Sequence, residues 1–262
     1  KHGFNNPNDE WDKKEIEYIL LGDSFIHGQC VNRPNDIASV LRSLSGKSAL
    51  NLGFRGLGPL HEYAILREYI RPGVKNILWF YFENSDIYDL ELNLNKPILK
   101  NYLESESFSQ NLIEKQKLVD VLAKKELRRI VINEMKISKF FKLYRLRILL
   151  SNKFYKREFV KLQPEFKQIL SQANKLAIKN NSKLYFIYLP HYARYKLNIN
   201  DKNYELVKNL VKDMGIPFID IHEEVFKNEK NPIELFPFKM YGHYTVDGYR
   251  KISEKVYELV EK

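Results

Sequence analysis

Short, largely apolar segments alternate with amphipathic ones along the chain, and this pattern predicts alternating strands and helices. Strands that are apolar on both faces are typical of a parallel sheet covered by helices on both sides. Helices are predicted after Asp36, from about Pro59, between the last two strands and from Thr245 to Val260. Five segments have strand character: residues 17–21, 48–52, 76–82, 183–190 and 216–220. The pattern predicts the α/β fold class, as a three-layer αβα sandwich with a central parallel sheet.

One region departs from this alternation. Residues of about 108–180 have helical character throughout, which is too long for a single crossover helix. We therefore expect a single domain spanning residues 1–262, with a helical insertion at about 108–180.

The same region holds the excess positive charge. Of 43 basic and 33 acidic residues, 15 basic and 5 acidic ones lie between Ile113 and Leu162, so the remainder of the chain is balanced. Residues 138–150 interleave apolar and basic side chains at helical spacing. Three interpretations stay open: a helix packed on the body with a solvated basic rim, a contact with an anionic membrane surface or acidic glycan, and nucleic-acid binding. Nucleic acid is not expected, because no recognisable nucleic-acid module accompanies the segment.

Composition narrows the chemistry further. The single cysteine, Cys30, excludes an internal disulfide and a multi-cysteine metal site, and we expect it to be a small buried apolar residue. No apolar stretch reaches the roughly 20 residues of a membrane span, and the charged start is unlike a signal peptide. We expect a soluble chain, although a leader or anchor upstream of it stays open. No metal or organic cofactor is implied.

Two residues at opposite ends of the chain suggest nucleophilic catalysis. Ser24 follows the first apolar segment in the sequence Gly22-Asp23-Ser24, where a strand would deliver a hydroxyl into a sharp turn. His243 precedes the C-terminal helix and could accept the serine proton. The oxyanion of an acyl transfer needs fixed donors, for which the Ser24 amide, the Gly56 amide and the Asn84 side chain are candidates.

These residues lie in motifs that resemble those of the SGNH, or GDSL, hydrolase superfamily of esterases and acyltransferases. The motif Gly22-Asp23-Ser24 is similar to its first block, and residues 51–56, 81–86 and 242–245 are similar to its second, third and fifth. The resemblance implies a flavodoxin-like αβα hydrolase with Ser24 as nucleophile, His243 as base, and Gly56 and an asparagine in the oxyanion hole. Residues 3–7 also resemble anchored cell-envelope relatives that act on or near glycans.

Two positions depart from the family pattern. Where the third block has its asparagine this chain has Ser85, with Asn84 one residue earlier. Where the family has an aspartate before the histidine, this chain has Met240 and Tyr241. A backbone carbonyl, Asp220 or Glu234 could take the place of that acid.

The resulting functional hypothesis is a serine-dependent ester hydrolase that removes an acyl group, most simply acetyl, from a carbohydrate or other small ester. Two alternatives use the same fold: an O-acyltransferase to a glycan hydroxyl, and a binding or assembly module with impaired catalysis. Arg55, in the second motif, could contact an anionic substrate or form a surface ion pair. The location would be the cell envelope, on the periplasmic side, if an anchor precedes the chain, and the cytoplasm otherwise.

Overall fold

A computed structural model describes residues 1–83, 85–134 and 160–261. The chain divides into two compact units, Lys1–Ser109 together with Lys161–Lys262, and Gln110–Val160. Two predicted features, the Asn84 side chain and the basic segment 138–150, lie outside the described residues.

The larger unit is built on a five-stranded parallel sheet, which confirms the predicted fold class. The strands stand in the order β2-β1-β3-β4-β5, the flavodoxin-like arrangement. Every strand residue is buried except for the first residue of β3, β4 and β5, as expected for strands covered on both faces. The strands are β1 (Tyr18–Leu21), β2 (Ala49–Asn51), β3 (Asn76–Phe82), β4 (Lys183–Leu189) and β5 (Phe218–Asp220).

Helices lie between the strands and after the last one. In the larger unit they are α1 (Ser24–His27), α2 (Ile37–Ser45), α3 (Pro59–Tyr69), α4 (Asp86–Leu94), α5 (Pro97–Glu104), α7 (Pro164–Lys179), α8 (Tyr192–Lys196), α9 (Tyr204–Asp213), α10 (Ile221–Glu224) and α11 (Val246–Val260). The smaller unit contains α6 (Gln116–Glu134). None of the helices in the described ranges is both long and apolar enough to cross a membrane.

Side chains that alternate along the strands build two apolar layers. Leu20, Phe80 and Ile187 face one side, in a core cluster shared with residues of α2 and α11, which also pack against each other. Tyr81 faces the other side, where its ring contacts Phe166 of α7. On that side α3 packs against α4, α5 and α7. The three layers leave the carboxyl ends of the strands, and the loops that follow them, as the edge where candidate groups meet.

The predicted helical insertion of about 108–180 includes more than the smaller unit. Residues 161–180 belong to the larger unit, and α7 within them buries Phe166, Ile169 and Leu170 and packs against α3. Helix α7 thus covers the sheet and leads into β4.

Candidate active site

Ser24 lies at the first position of α1, directly after the turn that ends β1. Gly22 adopts a φ of +153°, and a Cβ there would lie 2.4 Å from Cγ1 of Ile26, so only glycine fits this close turn. The Asp23 carboxylate accepts a hydrogen bond from the Phe25 amide at 2.9 Å and caps α1. The turn therefore fixes the half-buried Ser24 side chain at the carboxyl edge of the sheet.

The structure brings His243 to Ser24 across 219 residues of sequence. Nε2 of His243 lies 2.7 Å from Oγ of Ser24, a hydrogen-bond distance. The next residues anchor the histidine: the buried Tyr244 donates its hydroxyl to the Pro190 carbonyl at 2.7 Å, and the Thr245 amide donates to the Leu235 carbonyl at 2.8 Å. The pair can exchange a proton without a large side-chain movement.

An aromatic wall packs against the imidazole. The Phe25 ring lies 4.5 Å from the His243 ring between centroids and stacks on Phe82 at 4.0 Å. Burial, together with the positive charge of Arg55, lowers the pKa of His243 to about 4. At neutral pH the imidazole is therefore neutral, the form that can accept the serine proton.

Cys30 occupies the position facing the second ring nitrogen. Its Sγ lies 3.7 Å from Nδ1 of His243, and the side chain is exposed. The expectation of a buried apolar cysteine is wrong, because Cys30 lies exposed in the turn between α1 and α2, where its backbone is left-handed (φ +76°). Its position only six residues after Ser24 is the signal that the sequence analysis missed.

The two acid candidates are engaged elsewhere. Oδ1 of Asp220 accepts from the His222 amide at 2.9 Å and caps α10, while its other oxygen accepts from the Tyr204 hydroxyl. Glu234 is exposed and accepts from Nζ of Lys239 at 3.0 Å. Within the described ranges neither carboxylate contacts His243.

Two of the three predicted oxyanion donors, the Ser24 and Gly56 amides, lie within the described residues. Gly56 is exposed, with a φ of +71°, in the loop between β2 and α3. Among the described residues no acceptor engages the Ser24 or Gly56 amide, so both are available to a ligand. Ser85, at the position of the family's asparagine, donates its hydroxyl to Asp89 at 3.2 Å. Nearby, Asn51 fixes the second motif by accepting from the Gly53 amide at 2.9 Å.

Three buried carboxyl groups interact around the Ser24 turn. Burial and the charge of Asp89 raise the pKa of Asp23 to about 7. Burial and repulsion from neighbouring carboxylates, including Asp23, raise the pKa values of Glu62 and Asp86 well above their usual range. The Glu62 carboxyl accepts from the Trp79 indole at 2.5 Å, and Asp86 accepts from the Phe82 amide at 2.9 Å. Glu62 and Asp86 are therefore protonated at pH values where ordinary carboxyl groups are ionised. Sequence reasoning did not identify Glu62, because its partners come from other elements.

Comparisons with known proteins identify the fold. No protein-family model and no curated protein matches the sequence. Among solved structures, a protein assigned to the lipolytic G-D-S-L family from Desulfitobacterium hafniense DCB-2 superposes with a TM-score of 0.53 and 14% identity, covering 94% of this chain and 99% of that one. A member of the lipolytic G-D-S-L family from Veillonella parvula DSM 2008 gives 0.51 and 14%, covering 94% and 99%. The acetyl xylan esterase AlAXEase gives 0.51 and 12%, covering 94% and 100%.

These similarities confirm the fold that the sequence motifs predicted. The chain shares its fold with these G-D-S-L family and acetyl xylan esterase structures, and each match covers 94% of the chain. At 10–14% identity the likeness is one of fold, and the chemistry has to be argued from this chain's own residues.

Proposed function

We propose that this chain is a serine esterase that cleaves small acyl esters through an acyl-enzyme on Ser24. The observation that carries the proposal is the 2.7 Å contact between Oγ of Ser24 and Nε2 of a neutral His243. The SGNH hydrolase fold supports a hydrolase, since its solved members include an acetyl xylan esterase.

The proposed reaction has two halves. Oγ of Ser24 attacks the ester carbonyl carbon while Nε2 of His243 takes its proton, and the tetrahedral oxyanion is stabilised by the amides of Ser24 and Gly56 and the side chain of Asn84. The intermediate collapses as the imidazolium donates its proton to the leaving alcohol, which leaves Ser24 acylated. Water then attacks the acyl-enzyme with His243 again as base, and the carboxylic acid departs as the serine regains its proton.

For the substrate we propose an acetyl ester of a carbohydrate or other small molecule. The half-buried serine and the aromatic wall of Phe25 and Phe82 suit a small acyl group. The acetyl xylan esterase among the structural neighbours acts on the same type of bond.

We also propose that the basic segment 138–150 associates with anionic membrane surfaces of the cell envelope.

The esterase proposal is tested by hydrolysis of p-nitrophenyl acetate. We expect Ser24→Ala to lower kcat/KM by at least roughly 100-fold, because it removes the nucleophile. Ser45→Ala is a matched control: Ser45 is also half-buried, but its hydroxyl donates to the Leu41 carbonyl within α2. Equal activity in the wild type and Ser24→Ala would overturn the proposal, as would fluorophosphonate labelling that persists in Ser24→Ala.

The surface proposal has a separate test. Flotation of the full chain with anionic and neutral vesicles, at low and high salt, should show binding to anionic vesicles that salt weakens. Absent binding, or binding indifferent to lipid charge, would overturn it without affecting the esterase proposal.

A further inference from the structure

A cavity of about 660 Å³ opens at the C-terminal end of α1. Its lining is polar and positively charged, with Asn5, His27, Asn32, Arg33 and Arg55 among the lining residues. None of the described residues that line it is acidic. Two guanidinium groups in one cavity would stabilise a bound anion, whereas their charges contribute little to the binding of a neutral ligand.

The cavity adjoins the Ser24–His243 pair. Cys30 lines the cavity and also contacts Nδ1 of His243 at 3.7 Å. His27 lines it at the end of α1, and at a helical rise of about 1.5 Å per residue it lies roughly 5 Å along the axis from Ser24. The charge of Arg55 reaches the imidazole, since it contributes to the lowered pKa of His243. One small molecule could therefore contact Ser24 at one end and the cavity at the other.

The two arginines of the cavity lack the carboxylate partners that several other arginines in the described ranges have. Arg42, Arg194 and Arg250 each contact a carboxylate, namely those of Glu10, Glu83 and Asp247. Arg33 and Arg55 are exposed, and no ion pair joins either of them to a carboxylate within the described ranges. Their charges are thus available to a ligand, and a guanidinium matches the planar oxygens of a carboxylate or phosphate.

We propose that this cavity binds an oxyanionic group, carboxylate or phosphate, on the alcohol part of the ester, so that the substrate is an acyl ester of an anionic molecule. The inference rests on the proposed esterase function and adds the substrate class. Arg55 and Arg33 bind the oxyanion, while the acyl carbonyl lies at Ser24. The arginines act in binding and in specificity.

The test compares two esters that differ in one charge. The two substrates are 4-acetoxybenzoate, which carries a carboxylate, and its methyl ester, in which a methyl group caps that carboxylate and removes the charge. The readout is the ratio of their kcat/KM values in each variant, because Arg55 also influences His243 and could change both rates together. We expect Arg33→Gln and Arg55→Gln each to lower the ratio of anionic to neutral ester by roughly 3- to 10-fold, mainly through KM.

Control measurements separate the cavity from a general charge effect. Lys212→Gln removes an exposed charge on α9 from a residue that does not line the cavity, and should leave the ratio unchanged. Raising the salt concentration should lower the ratio in the wild type. Substituting 4-acetoxyphenyl phosphate for the benzoate distinguishes phosphate from carboxylate as the preferred oxyanion.

The outcomes separate the two proposals. Hydrolysis of both esters by the wild type, with a ratio unchanged in the two arginine variants or lowered equally by Lys212→Gln, would overturn the cavity assignment alone. Hydrolysis of neither ester faster than by Ser24→Ala would overturn the proposed function and this inference with it.

Discussion

Replacing Cys30 with aspartate is expected to raise the pKa of His243 and strengthen it as a base. Sγ of Cys30 lies 3.7 Å from Nδ1, so a carboxylate built at this position extends one bond further, into hydrogen-bond range. The fold should accept the change, because Cys30 has a φ of +76° and aspartate tolerates this left-handed conformation better than most residues. The variant would supply the carboxylate that no described residue offers to the imidazole.

The size of the effect follows from charge and distance. Two unit charges about 4 Å apart interact by about 4 kcal/mol at an effective dielectric constant of 20, before screening by solvent. Because Cys30 is exposed, the lower range of such pairs applies, an increase of about 1 to 2 pKa units. The pKa of His243, lowered to about 4 in the wild type, would then lie near 5 to 6 in the variant.

The assay is the pH dependence of kcat/KM with p-nitrophenyl acetate. The wild type should lose activity only as pH falls through about 4, because the imidazole stays neutral above its pKa. Cys30→Asp should move this acid limb upward by about 1 to 2 units and raise the plateau at higher pH. Cys30→Asn is the matched control, since it has the same shape and backbone tolerance without the charge, and its limb should stay near that of the wild type.

Two results would refute this reasoning. Coincident acid limbs in Cys30→Asp and Cys30→Asn would mean that position 30 does not face the imidazole in solution. A wild-type limb near the ordinary histidine value of about 6.5 would mean that another group stabilises the imidazolium.

Other predictions concern the turn at Gly22, the buried carboxyl group of Glu62 and Glu234, one of the two acid candidates. The raised pKa of Glu62 means that the folded state holds this proton more tightly than the unfolded chain, so the free energy of unfolding should fall as pH rises above about 4.5. Glu62→Gln keeps an acceptor for Trp79 and should flatten this pH dependence in urea unfolding. An equal pH dependence in the wild type and the variant would contradict the prediction. Gly22→Ala should destabilise the fold by about 1 to 3 kcal/mol, because its Cβ would meet Ile26, and an unchanged urea midpoint would argue against the close turn. Glu234→Gln should leave the acid limb in place, since its carboxylate is exposed and bound elsewhere; a shifted limb would show that it reaches the imidazole.

The fold could be predicted because the apolar segments are short, continuous and separated by helical ones. Strand β3 was predicted at the bounds that the structure shows, Asn76–Phe82. Strand β5 is shorter than predicted and begins at Phe218, because Pro217 has no amide hydrogen to donate to a neighbouring strand. The boundary of the helical insertion was harder to predict, since α7 has the same helical periodicity whether it covers the sheet or lies outside it.

The Ser24–His243 pair could be proposed from sequence because each residue sits beside a local signal, a strand end for the serine and a helix start for the histidine. The partner of the second imidazole nitrogen, Cys30, has only a weak signal, its position six residues after Ser24. Cys30 lies 213 positions before His243 in the sequence, and it adopts a left-handed backbone conformation in the turn after α1. A thiol in place of a carboxylate leaves the imidazolium without an opposite charge, and burial then lowers its pKa to about 4. Without a carboxylate beside it, the His243 imidazole is a weaker base and stays neutral at lower pH. The departure from the family motif at Met240 and Tyr241 should therefore appear as activity that persists to low pH.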